Sequence, residues 1–179
     1  ARDVRDPFGI LDMEKAVGRI LQAIDAGERI AIFADYDCDG IPGAVILHDF
    51  LKKINYENFE VYIPHRNSEG YGLNIEAIDL LASRGATLLI TIDCGISDVA
   101  EVAHAESLGV DVIITDHHLP PDILPRAYAI VNSKQAGDTY HDSMLCGAAV
   151  VWKIVSALLV KRGEVWGVPL GWEKWLLDM

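Results

Sequence analysis

The chain has 179 residues, 51% of them apolar, and a mean hydropathy of +0.21, enough for one sizeable core and too little for two full domains. A net charge of −12 and a pI near 4.7 argue against the extended basic face of most nucleic-acid binders. Cys38, Cys94 and Cys146 stand far apart without CxxC spacing, which excludes a disulfide framework and a zinc ribbon, and no run of about eighteen apolar residues marks a membrane span.

The start, Ala1 to Asp6, lacks the charged-then-apolar pattern of a secretory signal, so the chain is expected to be soluble and cytoplasmic, with no membrane partner. A helical pattern over residues 13–26 comes first. β-Branched apolar runs bounded by turn residues follow at 29–34, 59–63, 87–92, 110–115 and 128–131, with helical patterns between them at 43–53, 75–84 and 99–108. This alternation predicts an α/β fold with a doubly wound, mainly parallel five-stranded sheet. The runs are continuously apolar, as strands covered on both faces must be. Gly27, Gly85 and Gly109 are expected to close helices as left-handed caps, with Asn74 and Ser97 as N-caps. Beyond Val131, a polar stretch at 132–143 leads to a long apolar helix from about Cys146 to Val160, a loop at 163–172 and a short helix at 173–179.

Chemistry gathers where the strands end. The first runs into Asp35-Tyr36-Asp37-Cys38-Asp39-Gly40, at the edge where open α/β sheets bind ligands. In an extended segment, alternation would point Asp35, Asp37 and Asp39 to one side, where they repel unless a cation or protons neutralise them. Taken alone this is equally a solvated acidic turn. The third strand, however, ends in Asp93-Cys94-Gly95 and the fourth in Asp116-His117-His118, so acids and imidazoles reach the same edge three times. Mixed carboxylate and imidazole donors suit manganese and, less well, magnesium. Zinc held by Cys38 and Cys94 is the weaker alternative, because alternation with the acids turns both thiols away.

The motifs DYDCDG, IPHRNSEGYG, TIDCGIS and TDHH, in this order and spacing, resemble the RecJ branch of the DHH phosphoesterase family, from about Asp6 to the end of the chain. The resemblance implies a DHH phosphoesterase domain carrying two divalent cations, Mn2+ before Mg2+. It further implies exonucleolytic hydrolysis of single-stranded DNA from the 5′ end to mononucleotides, in repair and recombination, alongside other repair or replication proteins. Carried over residue by residue, Asp37 matches a ligand of one ion, Asp39 and His117 match ligands of the other, and Asp93 the bridging carboxylate. Asp35 belongs with the metal ligands, and Asp116 with the groups behind them. By the same resemblance His118 faces the phosphate as a donor, a structural role being the alternative.

Arg66 is placed to clamp a phosphate with paired donors. Tyr71, between Gly70 and Gly72, offers an aromatic face to a base or packs in the core. Gly147 opens the long helix, where free N–H groups would accept a phosphate. Pro42 and Gly43 stand where the family often has hydroxyl residues, which removes a phosphate contact, and Ala149 stands where relatives often have glycine. Trp175 to Met179 resembles the helix leading into the family's fourth motif. By the resemblance an Asp of that motif completes the metal site, so residues 1–179 are expected to be an incomplete DHH domain, with 145–179 leading to a missing C-terminal domain, to bind metal incompletely and to be weakly active or inactive alone. The competing functions are a DHH phosphodiesterase for short oligonucleotides or small esters and an inactive replication scaffold. An unrelated nucleotide-binding domain would need a glycine-rich loop where this chain has acids.

Overall fold

Side chains along Arg29–Ala34 alternate between two apolar cores: Ile30, Ile32 and Ala34 enter one, Ala31 and Phe33 the other, all fully buried. This run is β1 of the computed structural model, which describes residues 5–178. With β2 (Phe59–Tyr62), β3 (Ala86–Ile92), β4 (Asp111–Thr115) and β5 (Ala129–Val131) it forms one sheet in the order β2-β1-β3-β4-β5, every adjacent pair parallel. Three helices, α1 (Met13–Ala26), α2 (Gly40–Lys53) and α5 (Gly147–Arg162), cover one face. The other is covered by α3 (Ile75–Ser83) and α4 (Val99–Ser107). Because β2 lies on one side of β1 and β3 on the other, the chain reverses direction between β1 and β3, and a crevice opens at their carboxyl ends. No helix among the described residues is long and apolar enough to cross a membrane.

The expected doubly wound α/β sheet is thus present, and here it is wholly parallel. The bounds of β1 and α1 match the sequence reading to the residue. Gly27 caps α1 at φ +67°, its N–H reaching the Ala23 and Ile24 carbonyls, and Gly85 and Gly109 also have positive φ after their helices. Asn74 caps α3 by accepting from Ala77 N at 2.8 Å. Ser97 does not cap α4: the cap position is Asp98, whose carboxylate instead accepts from Leu73 N at 2.7 Å and ties down the loop after β2.

Two further differences concern helix ends. α2 starts at Gly40, three residues before the expected Gly43, because Asp37 Oδ1 accepts from Asp39 N at 2.8 Å and Gly40 N at 3.0 Å and so satisfies its first donors. Pro42 then falls in the first turn, where a missing N–H costs nothing. The last segment, Trp172–Asp178, is a 3-10 helix, and Met179 lies outside the described residues.

At the amino ends of the strands, far from the crevice, Arg19 is buried. Its guanidinium meets Asp111 Oδ2 and Glu28 Oε2, each at 2.7 Å, and so pins α1 to the start of β4 and to the residue before β1. Those contacts hold its pKa above the usual value although burial alone would lower it.

Candidate metal centre

The segment from Asp35 to Asp39 is a turn rather than an extended run, so alternation is not what gathers its acids. The chain folds back until Gly40 sits against the start of the loop: a Cβ there would lie 2.2 Å from the Asp35 carbonyl oxygen. Only glycine closes that turn. Asp35 is thereby buried at the end of β1, while Asp37 and Asp39 rise around the N-terminus of α2.

Asp93, immediately after β3, occupies the left-handed region at φ +62°, a conformation an L-residue adopts at a cost. Its backbone is fixed by Asp93 N donating to Thr115 O at 2.8 Å. The side chain is 1% exposed, yet neither oxygen receives a hydrogen bond, and Asp35 Oδ1 is equally buried and unpartnered. Two groups of potential ligands share Asp93: one with Asp35 and Asp37, the other with His117 and His118, each with its donor atoms within 4.8 Å of one another. Asp39 stands beside the second group, with Oδ2 3.7 Å from His117 Nε2.

Electrostatics separates these acids. Burial, then the neighbouring Asp37 carboxyl, then the charges of Asp37, Asp39 and Asp116 push Asp93 up to about 8. Burial also raises Asp35. Asp37 moves down: burial opposes its charge, but the N–H groups of Gly40 and Asp39 outweigh it. In the metal-free protein Asp37 is therefore ionised while Asp93 holds a proton. Buried carboxylate oxygens without donors, set among imidazole and carboxylate ligands, fit a divalent cation, which would supply the missing positive charge.

Asp116 differs from the other acids. It is fully buried and saturated: Oδ1 accepts from His117 N at 2.7 Å, His118 N at 3.0 Å and His118 Nδ1 at 2.8 Å, and Oδ2 from Ile96 N at 3.1 Å. It belongs to neither ligand group and organises the two histidines. Because Asp116 fixes His118 through Nδ1, that nitrogen carries the proton, and Nε2 makes no hydrogen bond to the described residues. Tyr71 is 54% exposed and therefore not core; its hydroxyl donates to Asp93 O at 3.1 Å and lies 3.2 Å from His118 Nδ1.

Gly147 is not an open cradle. A Cβ there would lie 2.5 Å from Asp93 Oδ1, and its N–H points at Asp39 Oδ2 across 3.4 Å, so the N-terminus of α5 abuts two carboxylates of the site. Gly43 is likewise a packing residue: a Cβ would meet Ile92 Cγ2 at 2.6 Å, and a hydroxyl side chain would not fit without displacing β3 or α5. Arg66 is exposed, and its guanidinium carbon lies 4.4 Å from the centre of the Tyr36 ring. None of the cysteines joins a ligand group among the described residues, and Cys94 is fully buried.

Three contributors escaped the sequence reading: Tyr36 beneath Arg66, Asp98 at the start of α4, which holds the loop before α3 through Leu73 N, and buried Asn132. The amide of Asn132 donates to His118 O at 2.9 Å. It directly follows β5, so the rule that pointed to Asp93 and Asp116, a polar residue ending a buried strand, would have found it.

The model of the DHH family, N-terminal domain, matches residues 29–170. The chain is 45% identical over 157 residues to the single-stranded-DNA-specific exonuclease RecJ of Bacillus subtilis, a match covering 88% of this chain and 20% of that protein. To the exonuclease of the same name from Escherichia coli it is 39% identical over 146 residues, covering 82% and 25%. A crystal structure of exonuclease RecJ bound to manganese aligns with a TM-score of 0.77 at 30% identity, over 86% of this chain and 39% of that one. The chain thus spans a fifth to a quarter of the length of these two curated relatives.

Proposed function

This chain belongs to the DHH family, and on that premise we propose that it is the metal-carrying part of a RecJ-type exonuclease hydrolysing phosphodiester bonds in single-stranded DNA. The observation that carries the reading is Asp93, a buried carboxylate without donors that is common to two ligand groups. On this reading Asp35, Asp37 and Asp93 would hold one cation, and Asp39, His117 and Asp93 a second. Manganese is assigned ahead of magnesium because imidazole joins the carboxylates. When bound, such ions supply Lewis-acid polarisation of a phosphoryl oxygen and a nucleophilic water at neutral pH.

The chain's own groups do the rest. With a cation bound, Asp93 would release its proton to solvent and stay ionised. His118, held through Nδ1 by Asp116, turns Nε2 to the phosphate and donates from it when protonated. Arg66 grips a phosphate at the rim with paired N–H groups, and the exposed ring of Tyr71 offers a face to a base. The N-terminus of α5 stabilises the charges on Asp39 and Asp93 rather than binding the phosphate itself.

Digestion from the 5′ end to mononucleotides follows the family resemblance. A net charge of −12 works against binding a DNA strand, so this reading assigns most of the positive surface to a further domain of the same protein. Residues 1–179 alone are then weakly active or inactive. The test is manganese-dependent mononucleotide release from end-labelled single strands by a C-terminally extended form and by its Asp93→Ala variant. Release from the 5′ end, abolished by the substitution, is expected. Hydrolysis confined to dinucleotides or small esters would instead make it a small-substrate phosphodiesterase.

A further inference from the structure

Arg66 poses an electrostatic problem that its neighbours resolve. A flexible guanidinium whose charge reaches Asp35 would be drawn into the acidic crevice, where it would compete with cations instead of facing substrate. It forms no ion pair with any carboxylate among the described residues. Instead it lies over the ring of Tyr36, 4.4 Å from the centre and well inside cation–π range. Tyr36 is half-buried and belongs to the loop that carries the three acids, so its position is set by the same turn that closes on Gly40.

We propose that Tyr36 is a positioning residue for phosphate recognition: its ring holds the Arg66 guanidinium at the rim of the crevice, with the N–H edge turned outward to a substrate phosphate. The inference rests on the assignment of Arg66 to phosphate binding. The ring face makes the contact, and the Tyr36 hydroxyl forms no hydrogen bond with the described residues. Phenylalanine therefore replaces Tyr36 without loss, whereas leucine does not. Stacking also leaves the charge of Arg66 intact, so losing the ring weakens binding without changing how many phosphate charges are neutralised.

The experiment is a double-substitution cycle on the C-terminally extended form, with Ca2+ in place of a catalytic metal and two probes: thymidine 5′-monophosphate and a short single-stranded oligothymidylate. Tyr36→Leu should weaken both by about two- to fivefold, Tyr36→Phe should match the wild type, and Tyr36→Leu should add nothing in an Arg66→Ala background. Arg66→Ala should lower the salt dependence of oligonucleotide binding by about one phosphate charge, whereas Tyr36→Leu should not. Mn2+ affinity should be unchanged in Tyr36→Leu. Independent, multiplying losses, no loss with leucine, or loss of Mn2+ binding with leucine would each overturn the proposal. Coupling seen with the monophosphate while the oligonucleotide fails to bind would refute the DNA reading and leave this inference standing. Binding of neither probe by the wild type would refute both.

Discussion

Asp93 Oδ1 lies 3.1 Å from His117 Nε2, in a pocket where neither oxygen of Asp93 receives a hydrogen bond. Without metal, that carboxyl holds its proton up to about pH 8, against an ordinary Asp value of 3.8. Between these two values the folded protein binds a proton that the unfolded chain has released. This contribution to stability is complete below about pH 4 and is lost as pH rises through about 8. The metal-free melting temperature should therefore fall from pH 5 to pH 8, and Mn2+ should raise it more at pH 8 than at pH 5. Asp93→Asn should flatten the metal-free profile and stabilise the protein at pH 8 by a few kcal/mol. A flat wild-type profile in a chelator would contradict this account of the pocket.

Asp116→Asn places an amide where four donors converge, so at least one of His117 N, His118 N, His118 Nδ1 and Ile96 N loses its acceptor. The expected cost is about 1–3 kcal/mol in chemical denaturation. The His118 ring should also lose its single tautomer, which nitrogen NMR reads directly as Nδ1–H in the wild type and a mixture in the variant.

Gly147→Ala drives a methyl to 2.5 Å from Asp93 Oδ1, so either α5 or Asp93 must move. Calorimetry should show Mn2+ affinity down at least about tenfold and stability reduced by about 1–3 kcal/mol. Ala149→Gly, two residues along the same helix, is a control that should leave the metal sites intact.

Arg19→Ala tests the opposite end of the sheet. It strands Glu28 and Asp111, and because both are partly solvated the expected loss is about 2 kcal/mol with metal affinity unchanged. The Arg19 guanidinium holds Glu28 below its ordinary range, although burial opposes this. That pair is therefore fully stabilising above the ordinary Glu pKa and is lost as pH falls through the lowered one. The variant should lose this acid sensitivity.

The succession of strands and helices along the chain and the clustering of acids were legible because each rests on a local signal: apolar runs, glycine caps, and polar residues ending buried strands. Asp93 and the Asp116 to His118 group fell at strand ends for that reason. The turn at Asp35 to Asp39 was not legible, since closing it depends on a through-space contact between Gly40 and the Asp35 carbonyl. The same holds for Gly147 against Asp93 and for Arg66 on Tyr36, contacts between residues distant in sequence. Asp98, not Ser97, stands at the start of α4 and gives its carboxylate to Leu73 N, a partner no local pattern reveals.

Counting the Mn2+ ions bound per chain by isothermal calorimetry, in the C-terminally extended wild type and in its Asp93→Asn variant, tests most directly whether one carboxylate serves two cations. Two ions in the wild type and neither in the variant is the expected result. A variant that keeps one ion at wild-type affinity would show that Asp93 does not bridge, and the two-cation centre assigned to this chain would be wrong.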